Sequence, residues 1–225
     1  GRQFDRAVLV VTQACELACT FCPAKDKAHE VHARGESAAQ LQELTHQLEV
    51  ARSLGAQGVE VSGNDVLRFS RVHELLRAAH DLGFGRILAQ SPGLELADAD
   101  FARAIAEGPL THLALPIYGD RAETHDAVTG RPGSFERLAR AIDRVLSLGR
   151  PTLELSTLAL RSTLERLDEL IEHVRVRFGL HVTVRLLRPN RVGEREHLAD
   201  GAPFTEVAPS ARCSDRKSTR LNSSH

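Results

Sequence analysis

Short apolar runs alternate with longer segments of helical periodicity along most of this chain of 225 residues. The first run, Ala-Val-Leu-Val-Val-Thr at residues 7–12, carries no charge and is rich in β-branched residues, which is typical of a buried strand. The predicted strands lie at residues 7–12, 58–62, 86–90, 113–118, 152–159 and 182–187. The predicted helices lie at about residues 37–54, 70–82, 98–107, 134–148 and 163–178. Because strands separated by single helices pair in parallel through right-handed crossovers, the pattern predicts an α/β fold, either an open doubly wound sheet or a barrel.

The charge balance argues against two classes of partner. The net charge is −1, from 29 basic and 30 acidic residues. No excess of positive charge favours a nucleic acid or a membrane surface, and no apolar run approaches the roughly 20 residues of a membrane span. We therefore expect no nucleic-acid partner and no membrane. The sparse cysteines suit a reducing compartment in which thiolates stay available to metals, which predicts the cytoplasm.

Three of the four cysteines form a compact group directly after the first predicted strand. The run is Cys-Glu-Leu-Ala-Cys-Thr-Phe-Cys, and its ligand candidates are Cys15, Cys19 and Cys22. Three thiolates on one loop can hold three irons of a cubic iron–sulfur cluster and leave the fourth iron without a protein ligand. Such an open iron can bind a small molecule and pass an electron to it. The motif therefore favours catalysis over simple electron carriage.

Other interpretations of the cysteines remain open. A structural zinc site would need a fourth ligand from a distant residue such as His29, His32 or Cys213. A disulfide framework is typical of short, secreted, cysteine-dense chains, which this one does not resemble. A bacterial ferredoxin motif has a fourth cysteine before its proline, whereas only Pro23 is present here. Inert buried cysteines are the last alternative.

The spacing CxxxCxxC, with Phe21 before the last cysteine, resembles the signature of the radical S-adenosylmethionine (radical SAM) enzymes. The resemblance implies a partial (β/α)6 TIM-like barrel with parallel strands and outer helices. It implies a [4Fe–4S] cluster on the three cysteines, an open iron that chelates S-adenosyl-L-methionine (SAM), and Phe21 beside the adenine. It also implies an external electron donor, such as flavodoxin or ferredoxin. Reductive cleavage of SAM would then give a 5′-deoxyadenosyl radical that abstracts hydrogen from an unknown substrate.

The segment after the second predicted strand is the next part of the resemblance. Val-Ser-Gly-Asn-Asp-Val-Leu, at residues 61–67, aligns with the family's Gly-Gly-Glu-Pro segment, which holds the amino group of SAM. The resemblance thus implies a cofactor-binding turn made of Ser62, Gly63, Asn64 and Asp65. Asn64 stands at the glutamate position, so either its amide oxygen or the Asp65 carboxylate can accept the bond. The alternative is a turn that only connects strand to helix.

A longer passage follows the fourth predicted strand. Residues 116–137 contain a His-Asp…Gly…Gly-Ser-Phe pattern that resembles peptide-modifying and cofactor-maturing radical SAM enzymes. It favours a peptide substrate, with a small molecule as the alternative. We expect Ser134 to be a helix N-cap and Phe135 to enter the core. His125 and Asp126 are either catalytic or, as we favour for an adjacent pair in a loop, hydrogen-bonded to local backbone.

Some positions depart from the family pattern or have two interpretations. Pro116 stands where many members have a serine that contacts SAM. Arg185 and Arg188 either meet a carboxylate inside the barrel or lie at an exposed strand end. Tyr118, the only tyrosine, is expected near the same rim and is either a packing residue or part of the site.

The resemblance extends over roughly residues 5–190. We therefore predict a radical SAM core domain at 1–190, the start of a truncated C-terminal region at 191–214, and a non-native tail at 215–225. The chain contains no methionine, so we expect it to begin inside a longer reading frame. The competing functions are an iron–sulfur or zinc binding module, and a degenerate family member that no longer cleaves SAM.

Overall fold

The computed structural model describes residues 4–12, 14–22 and 38–185. Within these residues the strands are β1 (Arg6–Thr12), β2 (Gly58–Gly63), β3 (Arg86–Gln90), β4 (His112–Pro116), β5 (Thr152–Leu158) and β6 (Val182–Arg185). The helices are α1 (Ala38–Ser53), α2 (Val72–Asp81), α3 (Ala99–Glu107), α4 (Ala122–Thr129), α5 (Ser134–Leu148), α6 (Arg161–Leu164) and α7 (Leu167–Phe178). Two 3₁₀ turns, Val66–Arg68 and Leu94–Ala97, follow β2 and β3.

The strands form one parallel sheet in the order β1-β2-β3-β4-β5-β6. A doubly wound sheet reverses its strand order at a switch point, and this sheet does not. No pairing joins β1 to β6 among the described residues, yet the loop after β1 and Arg185 of β6 line the same cavity. The sheet is therefore curved and open on one side. This arrangement confirms the partial barrel.

The main core lies between the outer face of the sheet and the helices. Inward-pointing helix residues such as Leu48, Leu75 and Ile142 are fully buried against strand residues such as Val61 and Ile87. The outward strand positions form one contiguous apolar layer with these helices. This layer holds each strand end in place, and with it the loop that follows the strand.

The inner face of β1 differs from the prediction of a fully buried strand. Leu9 and Val11 are buried, whereas Val8 and Val10 are 57% and 65% exposed. Strand side chains alternate between faces, and the inner face of an edge strand borders the open lumen. The lumen itself carries charged pairs, with Arg6 beside Glu60 at 3.3 Å and Arg86 beside Glu154 at 2.5 Å.

Two helical segments were predicted incorrectly. Helix α4, at Ala122–Thr129, lies where the sequence predicted a loop. The helix predicted from residue 163 to 178 is divided into α6 and α7. The division falls at Arg166, whose backbone is non-helical and whose guanidinium group donates to both carboxylate oxygens of Asp120.

No helix of the described residues is long and apolar enough to cross a membrane.

Several predictions fall on residues that the structure does not describe. These are the end of the strand predicted at 182–187, the regions at 191–214 and 215–225, and the residues His29, His32, Arg188 and Cys213.

Candidate cofactor site

The three cysteines lie at the carboxyl end of β1, on residues 14–22, here called the cysteine loop. All three are free thiols; Cys15 is buried, and Cys19 and Cys22 are half-buried. They line a single cavity of about 280 Å³. The other walls come from the carboxyl ends of the remaining strands and include Gly63, Asn64, Gln90, Ser156 and Arg185. The cavity occupies the rim where parallel β/α folds place their active sites.

The thiols are held in surroundings that oppose their ionisation. Burial raises the pKa of Cys15 to about 11, although a hydrogen bond from the Leu17 N–H lowers it. Burial, together with the nearby Cys15 and Cys22, raises the pKa of Cys19 to about 12. Three thiolates this close repel one another unless a cation lies between them. The donor set therefore fits a metal centre that displaces the thiol protons.

The candidate donor set consists of three cysteine thiols that line one cavity. A zinc ion needs its ligands to converge on a point, whereas the thiolates of a cubic cluster each bind a different iron. The three thiols around one cavity therefore fit an iron–sulfur cluster.

The start of the cysteine loop is held against the turn after β2. The Asn64 N–H donates to the Thr12 carbonyl oxygen at 3.0 Å, and the Ala14 N–H donates to Thr12 Oγ1 at 3.0 Å. Gly63 has φ of +141°, and a Cβ there would overlap the Thr12 carbonyl oxygen. Only glycine allows this close approach. It brings Gly63 and Asn64 to the cavity beside the cysteines.

An ion-pair network beneath the loop was not predicted from the sequence. Glu16 lies 2.7 Å from Arg137 of α5 and 3.7 Å from Arg68, which donates to Glu95 at 2.7 Å. The network ties the cysteine loop to the turns after β2 and β3 and to α5. Its only sequence signal is a charged residue inside the cysteine motif, next to Cys15.

Of the predicted cofactor-binding turn, the structure brings Gly63 and Asn64 to the cavity but not Ser62 or Asp65. Asp65 is fully buried and accepts a hydrogen bond from Ser91 Oγ at 2.6 Å. Burial, with the nearby Glu95, raises the pKa of Asp65 to about 7. Its carboxyl group thus faces the protein interior, whereas Asn64 is among the residues that line the cavity.

Two aromatic rings form one wall of the cavity. Phe21 packs edge-to-face against Tyr118, with ring centroids 5.4 Å apart. Tyr118 also packs with Val128 and Leu160 in a small apolar cluster. Burial, reinforced by the neighbouring cysteines, raises the pKa of Tyr118 well above its usual value, so its hydroxyl stays protonated. Tyr118 therefore belongs to the site as well as to the packing.

The His-Asp pair does not reach the cavity, and the structure confirms its interpretation as backbone-bonding. His125 is 2% exposed, and its Nδ1 accepts from the Tyr118 N–H at 3.1 Å. Asp126 accepts from the Gly133 N–H at 2.6 Å and the Phe135 N–H at 2.8 Å. The expectation that Ser134 is an N-cap was wrong. It is the first residue of α5, and Asp126 supplies the oxygen that the N-terminal N–H groups need.

Arg185, a candidate from the sequence, and Pro116, which differs from the family pattern, also lie at the rim. Arg185 ends β6 and lines the cavity, although it is largely exposed. Pro116 pairs in register with Ser156 of β5, and both line the cavity. A serine therefore stands on the strand next to the one where the sequence has proline.

Known proteins resemble this chain over most of the described fold. A family model described as the Radical SAM superfamily matches residues 9–183. AdoMet-dependent heme synthase of Oleidesulfovibrio alaskensis is 32% identical over 139 residues, which cover 62% of this chain and 34% of that protein. PqqA peptide cyclase of Ruegeria pomeroyi is 26% identical over 163 residues, which cover 72% of this chain and 41% of that protein. The chain thus spans less than half the length of either relative.

A solved structure extends the likeness to the fold. The crystal structure of Streptococcus suis SuiB bound to its precursor peptide SuiA superposes with a TM-score of 0.70 and 13% sequence identity. The match covers 92% of this chain and 45% of that one. At this identity the likeness concerns the fold alone.

We expect His125→Asn to reduce the pH dependence of stability between pH 6.5 and 4. Burial lowers the pKa of His125 from 6.5 to about 4, so in this range the unfolded chain binds a proton that the folded chain does not. His125 therefore contributes stability above pH 6.5 that is lost as the pH falls through 4, in total roughly 3 kcal/mol. Asparagine keeps an acceptor for the Tyr118 N–H without titrating. Urea unfolding of the wild type and of His125→Asn at pH 7 and pH 5 measures how much free energy of unfolding each protein loses at the lower pH. An equal loss in the two proteins would contradict the prediction.

We expect Asp65→Asn to increase stability more at pH 8 than at pH 5. The pKa of Asp65 is higher in the folded chain than in the unfolded chain, so its deprotonation opposes folding. The contribution of Asp65 to the free energy of unfolding is therefore fully present below pH 3.8 and is lost as the pH rises through about 7. Asparagine stays uncharged and still accepts from Ser91 Oγ. Denaturant unfolding at the two pH values tests this, and a larger gain at pH 5 would show that Asp65 is stable as a buried carboxylate.

Proposed function

The chain belongs to the radical SAM superfamily, and we propose that it is the core of an enzyme that cleaves SAM reductively at a [4Fe–4S] cluster. The observation that supports this proposal most strongly is that three free thiols line one cavity at the carboxyl end of a parallel sheet. Cys15, Cys19 and Cys22 would each hold one iron. When bound and reduced, the cluster together with SAM supplies a 5′-deoxyadenosyl radical for hydrogen abstraction.

The protein's own part in this chemistry is to orient the cofactor and exclude water. Asn64 and the backbone of Gly63 lie beside the cysteine loop, where they can hold the amino group of SAM. In this proposal Phe21 packs beside the adenine, which its place in the cavity wall and its edge-to-face contact with Tyr118 support. Ser156 and Arg185 on the opposite wall suit a hydroxyl or a carboxylate. A fixed arrangement lowers the entropic cost of bringing the reacting groups together.

A peptide is the substrate class that we favour within this proposal. PqqA peptide cyclase is a sequence relative, and the SuiB structure contains a precursor peptide. A small molecule is the alternative, because another relative is a heme synthase. The proposal includes a one-electron donor such as flavodoxin or ferredoxin, since reductive cleavage consumes an electron. It also retains the cytoplasm as the compartment, on the grounds of the free thiols.

Cys19→Ala is expected to abolish SAM cleavage, because two thiolates cannot anchor the cluster with one open iron. The measurement is 5′-deoxyadenosine formed by anaerobically reconstituted protein after addition of SAM and dithionite. Cys213→Ala, which alters the one cysteine outside the loop, is the matched control and should retain cleavage.

Three results would contradict the proposal in different ways. Undiminished 5′-deoxyadenosine from Cys19→Ala would refute the ligand assignment. A wild-type chain that takes up iron and sulfide but shows no SAM binding by calorimetry would identify a degenerate member. Zinc in place of iron in the purified protein would favour a binding module.

Asn64→Ala is expected to weaken SAM binding about tenfold, the equivalent of one lost hydrogen bond. Asp65→Asn is the matched comparison, since it alters the next residue but leaves the cavity wall unchanged, and we expect it to bind SAM like the wild type. Calorimetric titration of the reconstituted proteins measures both affinities. The opposite pattern would assign the contact to Asp65.

A further inference from the structure

The middle of the cysteine loop is docked on the carboxyl-terminal turn of α4. The Ala18 N–H donates to the Thr129 carbonyl oxygen and the Thr20 N–H donates to the Val128 carbonyl oxygen, both at 2.9 Å. The last carbonyl groups of a helix have no partner within the helix. The loop supplies two of the missing donors, and these donors flank Cys19 on both sides.

The residue that ends α4 allows the loop to come this close. Gly130 has φ of +64°, and a Cβ there would lie 2.6 Å from the Ala18 carbonyl oxygen. A side chain at this position would push the loop backbone away from the helix. The position of Cys22 follows from that of Cys19, because the Cys22 N–H donates to the Cys19 carbonyl oxygen at 2.9 Å.

Helix α4 is itself held from two directions. Asp126 accepts from the Gly133 and Phe135 N–H groups at the start of α5 and from Ser134 Oγ, at 2.6–2.8 Å. Ser134 Oγ also lies within hydrogen-bond distance of Thr129 Oγ1, at 2.7 Å. On the other side, His125 binds the backbone at the end of β4. The helix end that meets the cysteine loop is thus tied to both neighbouring elements.

We propose that residues 118–135, including the His-Asp pair, form a positioning element that sets where Cys19 and Cys22 lie relative to Cys15. This inference rests on the proposed function, in which the three thiols hold the cluster. Cys15 is fixed separately, through the contacts of Thr12, Gly63 and Glu16. The passage therefore acts on the cluster through the loop backbone and not through a catalytic side chain.

Two glycines of this segment provide a matched pair of variants. Gly130 and Gly133 both have positive φ, +64° and +80°, so alanine is strained at either position. A Cβ at Gly133 meets nothing within 4 Å, whereas a Cβ at Gly130 meets the cysteine loop. Gly133→Ala also keeps the N–H that donates to Asp126. Any difference between the variants therefore reports the contact with the loop.

The test compares Gly130→Ala and Gly133→Ala with the wild type in the full chain. Both variants should lower the thermal midpoint by about 2–4 °C through backbone strain. Only Gly130→Ala should accelerate hydrogen–deuterium exchange of the Ala18 and Thr20 amides, by about tenfold or more. Only Gly130→Ala should reduce the iron and sulfide taken up on anaerobic reconstitution and alter the electron paramagnetic resonance spectrum of the reduced cluster.

Asp126→Asn provides a second variant in case Gly130→Ala does not fold. It removes one of the acceptors that hold α4 and should shift the same amide exchange and the same spectrum in the same direction. If neither variant differed from Gly133→Ala in these readouts while the wild type took up a cluster, the inference would be overturned on its own. A wild type that takes up no iron would overturn the proposed function together with this inference.

Discussion

Backbone contacts at two points determine where the cysteine loop lies, and the rest of the site depends on them. At one end Thr12 meets the turn at Gly63, and in the middle Ala18 and Thr20 bind the end of α4. Within the loop, the Leu17 N–H donates to Cys15 Sγ and the Cys22 N–H donates to the Cys19 carbonyl oxygen. These local bonds shape the loop, but its place on the barrel is set by partners in other elements. Because the partners here are a strand end and a helix end, the loop takes on the rigidity of the barrel.

The charges beneath the loop complement this arrangement. Glu16 lies between Arg68 and Arg137, while Asp65 is buried nearby with a raised pKa. A cluster bound through three thiolates would bring further negative charge to this part of the protein. Two arginines close to the loop, and an aspartic acid that can stay protonated, limit the electrostatic repulsion that such a group would meet.

Some parts of the fold followed from local sequence pattern, and others did not. The strands were predicted well because each is a short apolar run that is bounded by turns. Helix α4 was missed because two of its three buried residues, His125 and Thr129, are polar and hide the apolar periodicity. The break between α6 and α7 was missed because it coincides with the bonds from Arg166 to Asp120, a residue far away in sequence. The start of α5 is bonded by Asp126 and not capped by Ser134, because folding brings the Asp126 carboxylate to the N–H groups of Gly133 and Phe135.

The sequence by itself determined the alternation of strands and helices, the position of the three cysteines after β1, and the family that their spacing resembles. These features are local, since each depends on residues close together in the chain. The tertiary structure alone decided that Asn64 reaches the cavity while Asp65 turns inward to Ser91, and that the His-Asp pair supports α4. The direction of a side chain at a strand end depends on what packs against it, and those partners come from other βα units that only folding brings together.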